Sequence, residues 1–318
     1  LGNGRVGYFP EPELVVGSID FLHLGTGDEH SCGARASGET YCWGSNVNGQ
    51  LGDGTASESN EPSLVAGSIQ AVGLAIGQNH SCVMDASGAA YCFGDNDQGQ
   101  LGDGFTSDRT TPGAVVGLDD VQQISAGGRH SCSVLSDHTV RCWGDNQEGQ
   151  LGDGTNVSSS TPVQVAQITN AAAVVAGDAH SCAVLTDQTV MCWGKNDAGQ
   201  LGCGACGSSV TPQPVVDASS IVELAAGWHH TCGRTAGGAV TCWGYNSHGE
   251  LGDGTTASSP VPTFVQGVSS AVAISAGKAH SCAVLSGGGL LCWGDNTYGQ
   301  LGDGTTTSSA LPVTPLGF

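Results

Sequence analysis

Basic residues are scarce in this chain. Lys and Arg number 8 against 29 Asp and Glu, a formal net charge of -21 over 318 residues. Affinity for a phosphate backbone comes mainly from Lys and Arg, so no nucleic-acid partner is expected, and anionic membrane surfaces are disfavoured on the same ground. Long apolar runs are missing too: none approaches the ~20 residues of a spanning helix, so no membrane span is expected. Aromatic residues are only 5% of the chain, which leaves Val, Ala, Leu and Ile to build the core. No segment keeps a 3.6-residue apolar period between caps, so helix should be nearly absent. There is no initiator Met and no signal peptide, and Leu1-Gly2-Asn3-Gly4 begins inside a repeat unit, which reads as a processed chain or a fragment.

What the chain has is repetition. His-Ser/Thr-Cys recurs at His30, His80, His130, His180, His230 and His280, a step of 50 residues each time. In one copy it reads His180-Ser181-Cys182-Ala183-Val184-Leu185, then Val190-Met191-Cys192-Trp193-Gly194, then Asn196 and Gly199-Gln200-Leu201-Gly202. A short apolar segment such as Ala171–Gly177 precedes the motif, too short for a helix and bounded by Gly as a buried strand is. The motif itself is a second strand, the Cys-Trp-Gly segment a third. After an Asn/Asp/Gly-rich loop, Thr161-Pro162-Val163-Gln164-Val165 makes a fourth. Four short strands per ~50 residues fit a propeller blade. A solenoid fits less well, because its ends usually carry atypical caps. The expectation is an all-β, six-bladed β-propeller with four strands and one disulfide per blade, forming a single domain over 1–318. Its hairpin cores lie near 21–44, 71–94, 121–144, 171–194, 221–244 and 271–294. Residues 1–17 and 301–318 are terminal linker or outer-strand copies. One of these suffices to seal the last blade to the first, which leaves the other spare.

Of 14 cysteines, twelve form pairs with nine residues between: Cys32 with Cys42, Cys82 with Cys92, Cys132 with Cys142, Cys182 with Cys192, Cys232 with Cys242 and Cys282 with Cys292. A three-residue connection, Thr186-Asp187-Gln188, would set Cys182 and Cys192 opposite each other, where facing Cβ atoms come within ~4.5–5.5 Å. Pairing within a blade is expected, with pairing between neighbouring blades as its rival. Cys203 and Cys206 break the repeat, and a local loop disulfide is expected there, with a redox role or an intermolecular bridge as the alternatives. A framework of this kind persists in oxidising surroundings, so the protein is expected to be secreted or on a cell surface, with the periplasm also open.

The segments Gly-x-x-His-Ser-Cys-Ala-Val-Leu and Cys-Trp-Gly-x-Asn-x-x-Gly-Gln-Leu-Gly-Asp-Gly-Thr resemble the regulator of chromosome condensation repeat family, in its Cys-bearing form from bacterial exported proteins. The resemblance covers the whole chain and implies a β-propeller. Members commonly have seven blades; six hairpin cores point to six here. The nuclear member is an exchange factor for the GTPase Ran that uses a wedge inserted among its repeats and binds nucleosomes through basic loops. Here the step never slips and basic residues are few, so that activity is not carried over. The family also resembles a secreted propeller that inhibits β-lactamases through an aromatic loop face, which keeps open a role as an enzyme inhibitor.

No catalytic or metal residues are assigned, and the chain is read as non-enzymatic. The repeated His lacks a recurring acidic partner and should hydrogen-bond neighbouring backbone in its own blade; a metal ring is the alternative. The Asp/Asn/Gly loops fit turn chemistry, with weak Ca²⁺ binding as the alternative, since they lack the spacing of an EF-hand. The repeated Trp, replaced by Phe93 in the second unit, should pack between blades. The residues outside the repeat pattern that could meet a partner are Trp228, His229, Arg129, Lys278 and Tyr298. Function is therefore expected to be protein binding or a structural role outside the cell, with self-association into a filament or surface layer through the terminal strands as an alternative.

Overall fold

The computed structural model describes residues 2–17 and 20–317. Twenty-four strands form six four-stranded antiparallel sheets, each contiguous in sequence. Blade 1 holds β1 His23–Thr26, β2 His30–Ala34, β3 Thr40–Gly44 and β4 Ser59–Leu64. Blade 2 holds β5 Ala71–Ile76, β6 His80–Asp85, β7 Ala90–Gly94 and β8 Arg109–Ala114. Blade 3 holds β9 Val121–Ala126, β10 His130–Leu135, β11 Val140–Gly144 and β12 Ser159–Gln164. Blade 4 holds β13 Ala171–Ala176, β14 His180–Leu185, β15 Val190–Gly194 and β16 Ser209–Pro214. Blade 5 holds β17 Ile221–Ala226, β18 His230–Thr235, β19 Val240–Gly244 and β20 Ser259–Phe264. Blade 6 holds β21 Ala271–Ala276, β22 His280–Leu285, β23 Leu290–Gly294 and β24 Ser309–Val313. The described residues contain no helix, and no helix is long and apolar enough to cross a membrane. Leu1 and Phe318, the outer limits of the expected terminal copies 1–17 and 301–318, lie outside the described residues.

The central hairpin is set by its turn. Leu185 N–H donates to the Thr189 carbonyl, and Gln188 N–H donates back to Leu185. The last turn residue takes a left-handed conformation, as Gln188 (φ 68°) and Gly238 (φ 86°) both do, the geometry of a three-residue hairpin loop. That register places Cys182 opposite Cys192 and Cys132 opposite Cys142. It does the same for Cys32 and Cys42, Cys82 and Cys92, Cys232 and Cys242, and Cys282 and Cys292. All six of these pairs are closed as disulfides within their own blades, with Cα atoms 4.1 Å apart. The rival pairing between neighbouring blades does not occur. Cys203 and Cys206 are bonded as a seventh, local bridge, one more than the expected single disulfide per blade.

The core lies between blades rather than within them. Five apolar clusters fill the five interfaces from blade 1/2 to blade 5/6. In one of them Val134, Val140, Leu151 and Val165 of blade 3 and its linker meet Ala171, Val174, Ala183 and Trp193 of blade 4. The repeated ring, Trp or Phe93, packs in these interfaces over a linker glycine: a Cβ on Gly152 would lie 2.7 Å from Trp193.

The repeated histidine works across the interface, which corrects the expectation of backbone bonds within its own blade. Its Nε2 meets the hydroxyl one blade on: His30 to Ser81 at 2.9 Å, His80 to Ser131 at 2.9 Å, His130 to Ser181 at 2.8 Å, His180 to Thr231 at 2.9 Å and His230 to Ser281 at 2.8 Å. Each hydroxyl also donates to the carbonyl that ends the preceding loop, such as Ser131 to Gln100 and Ser181 to Gln150, both at 3.0 Å. A hydroxyl has one proton. Having given it to the carbonyl, it must accept from Nε2–H, which in an uncharged imidazole leaves Nδ1 bare. Those same carbonyls take the indole N–H of Trp143, Trp193, Trp243 and Trp293 at 2.9–3.0 Å. Burial holds the imidazoles uncharged: it pushes His30 and His130 down to about 4, and His80, His180 and His230 down to about 3.

Both terminal copies are engaged, which differs from the expectation of a sealing strand and a spare one. Blade 6 is completed by its own β24, and residues 2–17 lie along the rim between blades 6 and 1. Gly4 N–H donates to Asn60 of blade 1 at 3.0 Å, while Gly304 N–H from the blade 6 linker donates to Pro10 at 3.0 Å.

Two outcomes check this fold. Replacing Cys132 and Cys142 together by Ala should lower unfolding free energy by about 2–3 kcal/mol, the chain-entropy value for an 11-residue loop, as read by denaturant titration. Stability should also fall with acid. The unfolded chain takes up protons on these histidines below its pKa of ~6.5 while the fold does not, at ~1.4 kcal/mol per pH unit for each. The loss should therefore begin below pH ~6.5 and grow down to about 4, where His30 and His130 protonate in place, and to about 3 for His80, His180 and His230. Equilibrium melts over that pH range measure it.

Candidate binding face

At one end of the propeller the loops joining the first and second strands of each blade meet around the axis. Backbone bonds tie each loop to the next: Asp28 N–H to Gln78 O (3.4 Å), Gln78 to Gly127 (3.1 Å), Gly128 to Asp178 (3.2 Å), Asp178 to Trp228 (3.3 Å) and Trp228 to Lys278 (3.1 Å). Because these bonds use main chain, the residue type at this position varies among the copies, although a Cβ at Gly128 would meet Asp178 of the next blade. The six copies carry Asp28, Gln78, Gly128, Asp178, Trp228 and Lys278.

These side chains divide the face. On blades 1 and 2, Gln78 Nε2 donates to Asp28 Oδ2 at 3.0 Å, beside the exposed Glu29. On blades 4 to 6 the character is aromatic and cationic. Lys278 Nζ sits 3.5 Å above the Trp228 ring, a cation–π contact. Trp228 meets His229 edge-on at 6.1 Å, and His229 meets Tyr245 edge-on at 6.2 Å. Tyr245 is fixed there by its N–H on the His229 carbonyl at 2.8 Å. Both lysines of the chain, Lys195 and Lys278, belong to this half. Asp178 sits at the boundary. Burial raises its pKa and Asp28 adds to that, while His229 and Lys195 oppose it.

Beside this row a cleft of ≈ 620 Å³ runs between the outer loops of blades 4 and 5, bordered by Lys195, Cys206, His229, Tyr245 and Pro260. That volume suits a ligand or an anchoring side chain, for which ~300–1,000 Å³ is typical. The second break in the repeat lies on its wall. In the ordinary loop, Asn146 braces the chain by accepting Leu151 N–H and donating to the Thr155 and Val157 carbonyls, and Asp153 Oδ1 accepts the N–H and hydroxyl of Thr155 at 2.9 Å. In blade 4 the Cys203–Cys206 bridge replaces that aspartate turn, and Asn196 donates to the Cys206 carbonyl at 2.7 Å instead. Two departures from the pattern, Cys206 and His229, thus border one cleft.

The structure brings together Trp228, His229 and Lys278 of the expected partner residues. Arg129 is exposed on the same face but over blade 3. Tyr298 stands apart, stacked on Tyr8 of the N-terminal segment with ring centres 4.7 Å apart. Sequence reasoning missed Tyr245 and Lys195. Their signal was available: the residue two after the repeated Trp or Phe is Ser45, Asp95, Asp145, Lys195, Tyr245 and Asp295 in turn.

Two other clusters have a different explanation. Ser247, His248 and Glu250 have the composition of a hydrolytic triad, yet Ser247 Oγ and Glu250 Oε1 both approach the same Nδ1, at 3.0 and 3.3 Å. A proton relay needs the nucleophile and the carboxylate on opposite ring nitrogens. Asp95, Asp97 and Asp108 gather within 4.8 Å, but Asp108 already accepts from Asn96 N–H and Asn48 Nδ2, both at 2.9 Å.

Sequence comparison agrees with the geometry. The regulator of chromosome condensation (RCC1) repeat model matches residues 37–84, 87–134, 137–184, 187–233, 237–284 and 287–317, and a second RCC1 repeat model matches six segments between 22 and 300. The chain belongs to the RCC1 repeat family. Among solved structures, human WBSCR16 superimposes with a TM-score of 0.87 at 22% identity, covering 96% of this chain and 84% of that one. Yeast RCC1 (Prp20), solved bound to Kap60, gives 0.83 at 21% identity, with 92% and 74% covered. The ectodomain of the Physcomitrella patens receptor kinase CR4 gives 0.58 at 23% identity, with 88% and 63% covered. At these identities the likeness is one of fold.

Within this RCC1 propeller, Trp228 is the one tryptophan outside the buried set of Trp43, Trp143, Trp193, Trp243 and Trp293. Acrylamide should therefore quench Trp228 selectively. Trp228→Phe should remove most of the quenchable fluorescence and leave the melting temperature nearly unchanged.

Proposed function

We propose that this chain is a non-enzymatic binding propeller of an oxidising, extracellular environment, and that it engages a protein partner through the face carrying Trp228, His229 and Tyr245. The observation that carries this reading is the convergence of the non-repeated residues. A half-buried Trp, a His, a Tyr and two Lys meet beside one cleft, on a scaffold whose other positions are held by the repeat. Trp and Tyr in such a setting are the residues that most often dominate binding energy. Seven disulfides are consistent with an oxidising compartment. A non-catalytic role is supported by the repeated histidines, which are neutral, buried and committed to inter-blade bonds. An inhibitor of an extracellular enzyme is one form this binding could take, since it would use the same loops. Assembly through the terminal strands has less support, because residues 2–17 are already bonded to blades 1 and 6 of their own chain.

The test is a photo-crosslinking residue in place of His229, followed by binding measurements on the protein it captures. Trp228→Ala should weaken that binding by roughly 30-fold or more, the loss of a ~2 kcal/mol anchor. Thr186→Glu, on a hairpin turn at the opposite end, should leave it unchanged. Equal affinity for the Trp228 variant and the parent would contradict the assignment.

A further inference from the structure

Six of the seven disulfides follow the repeat, and the bridge between Cys203 and Cys206 does not. Eleven of the twelve hairpin cysteines are 0–3% exposed, and only Cys282 among them is partly exposed. Cys203 and Cys206 are both partly exposed. Cys206, and not Cys203, borders the ≈ 620 Å³ cleft between the outer loops of blades 4 and 5.

The two sulfurs sit in surroundings that elsewhere hold an anion. In four other loops the bracing asparagine donates from its amide to a carboxylate: Asn96 to Asp103 at 3.3 Å, Asn146 to Asp153 at 3.2 Å, Asn246 to Asp253 at 3.5 Å and Asn296 to Asp303 at 3.1 Å. The N–H two residues on donates to the same Oδ1, as Thr155 does to Asp153 and Thr305 to Asp303, both at 2.9 Å. Cys203 stands at the aspartate's place in the repeat, and Ala205 follows it as Thr155 follows Asp153. Asn196 Nδ2 meets Cys203 Sγ at 3.5 Å and Cys206 Sγ at 3.4 Å. The loop is also held by bonds outside the bridge. Leu201 N–H donates to Asn196 Oδ1 at 2.9 Å, Asn196 N–H to Ser208 Oγ at 3.1 Å, and Gly204 N–H to the Pro260 carbonyl at 3.0 Å. A sulfur released from the bridge would therefore stay beside donors of the kind that hold a carboxylate in the other loops.

Thiol–disulfide exchange makes use of such a place. A thiolate attacks one sulfur of the bridge, and the other leaves the faster the better its negative charge is stabilised. Hydrogen bonds donated to the charged form supply that stabilisation.

We infer that the Cys203–Cys206 bridge is a thiol-exchange site, with Cys206 as the attacked sulfur, Cys203 as the leaving group and a small-molecule thiol as the substrate. The incoming thiol gives its proton to solvent, and its sulfur bonds to Cys206 Sγ. The Cys203–Cys206 bond breaks, and its electron pair stays on Cys203. The incoming sulfur is thereby oxidised to a mixed disulfide, while Cys203 is reduced to a thiolate beside Asn196. A small thiol fits better than a cysteine on a folded protein, because the attacked sulfur lies on a cleft wall. This chemistry is independent of the protein binding proposed above and is measured with no protein partner present.

The probe is reduced glutathione, added to the folded 318-residue chain and followed by acid quenching, alkylation and peptide mass spectrometry. Glutathione should appear on Cys206, with Cys203 free, about tenfold or more faster than any hairpin bridge opens. The Cys282–Cys292 bridge is the internal control: Cys282 is partly exposed, yet among the described residues no hydrogen-bond donor meets either sulfur. Equal opening of that bridge would mean that exposure alone governs, and would overturn the inference. So would glutathione on Cys203, or no adduct at all. A folded protein with a single surface cysteine should react about tenfold or more slowly than glutathione, since access limits the attack; equal rates would overturn the choice of a small thiol. In the Cys206→Ser variant, alkylation of Cys203 should titrate about one pH unit or more below the ~8.5 of an ordinary thiol. Titration at the ordinary value would contradict the leaving-group assignment.

Discussion

The contact on which the structure rests is a chain of two hydrogen bonds between blades: imidazole N–H to hydroxyl, hydroxyl to loop carbonyl. It fixes a tautomer, a spacing and an orientation at once. A blade of four short strands cannot bury its own faces, so each blade depends on its neighbours. Apolar contact is non-directional, so by itself it sets the alignment of two such sheets less sharply than a directional bond does. The buried polar chain permits one register. Leaving it half made would cost about 1–3 kcal/mol for the orphaned group, which sets a penalty on every wrong alignment.

That dependence explains the remaining repeated residues. The glycine three positions before each His lies against the ring; a Cβ at Gly77 would collide with His80 and with the Gly127 carbonyl of the next blade. The Asn of each loop holds the turn that delivers the acceptor carbonyl, as Asn146 does for Gln150 and Leu151. The disulfide behind the His holds the hairpin to which it belongs. Where the polar chain runs on through Ser or Thr, the apolar clusters run with it. Among the described residues, where it stops, at His280 and Ser31, they stop too.

Much of the fold was legible because a 50-residue step with four short apolar segments admits few architectures, and the turn length put each cysteine opposite its partner. The partner of the histidine was not legible. His130 and Ser131 are adjacent in sequence yet bond in opposite directions, one to blade 4 and the other to blade 2. Nothing in a single copy reveals this, since strand alternation and blade spacing together decide it. At the binding face, Trp228 was visible as a break in the pattern. Its relation to Tyr245, Lys195 and Cys206 was not, because it arises where the outer loops of two blades face each other. The N-terminal segment reads in sequence as a linker copy, but the position of its Gly2 beside Trp43 emerges only in the folded chain.

The most direct measurement is the state of the imidazoles themselves. Nitrogen-15 spectra of the labelled protein across pH report tautomer and charge ring by ring. The account predicts that His30, His80, His130, His180 and His230 are neutral with the proton on Nε2, and remain so at pH 5. Imidazoles that titrate near the ordinary 6.5, or that carry the proton on Nδ1, would contradict it.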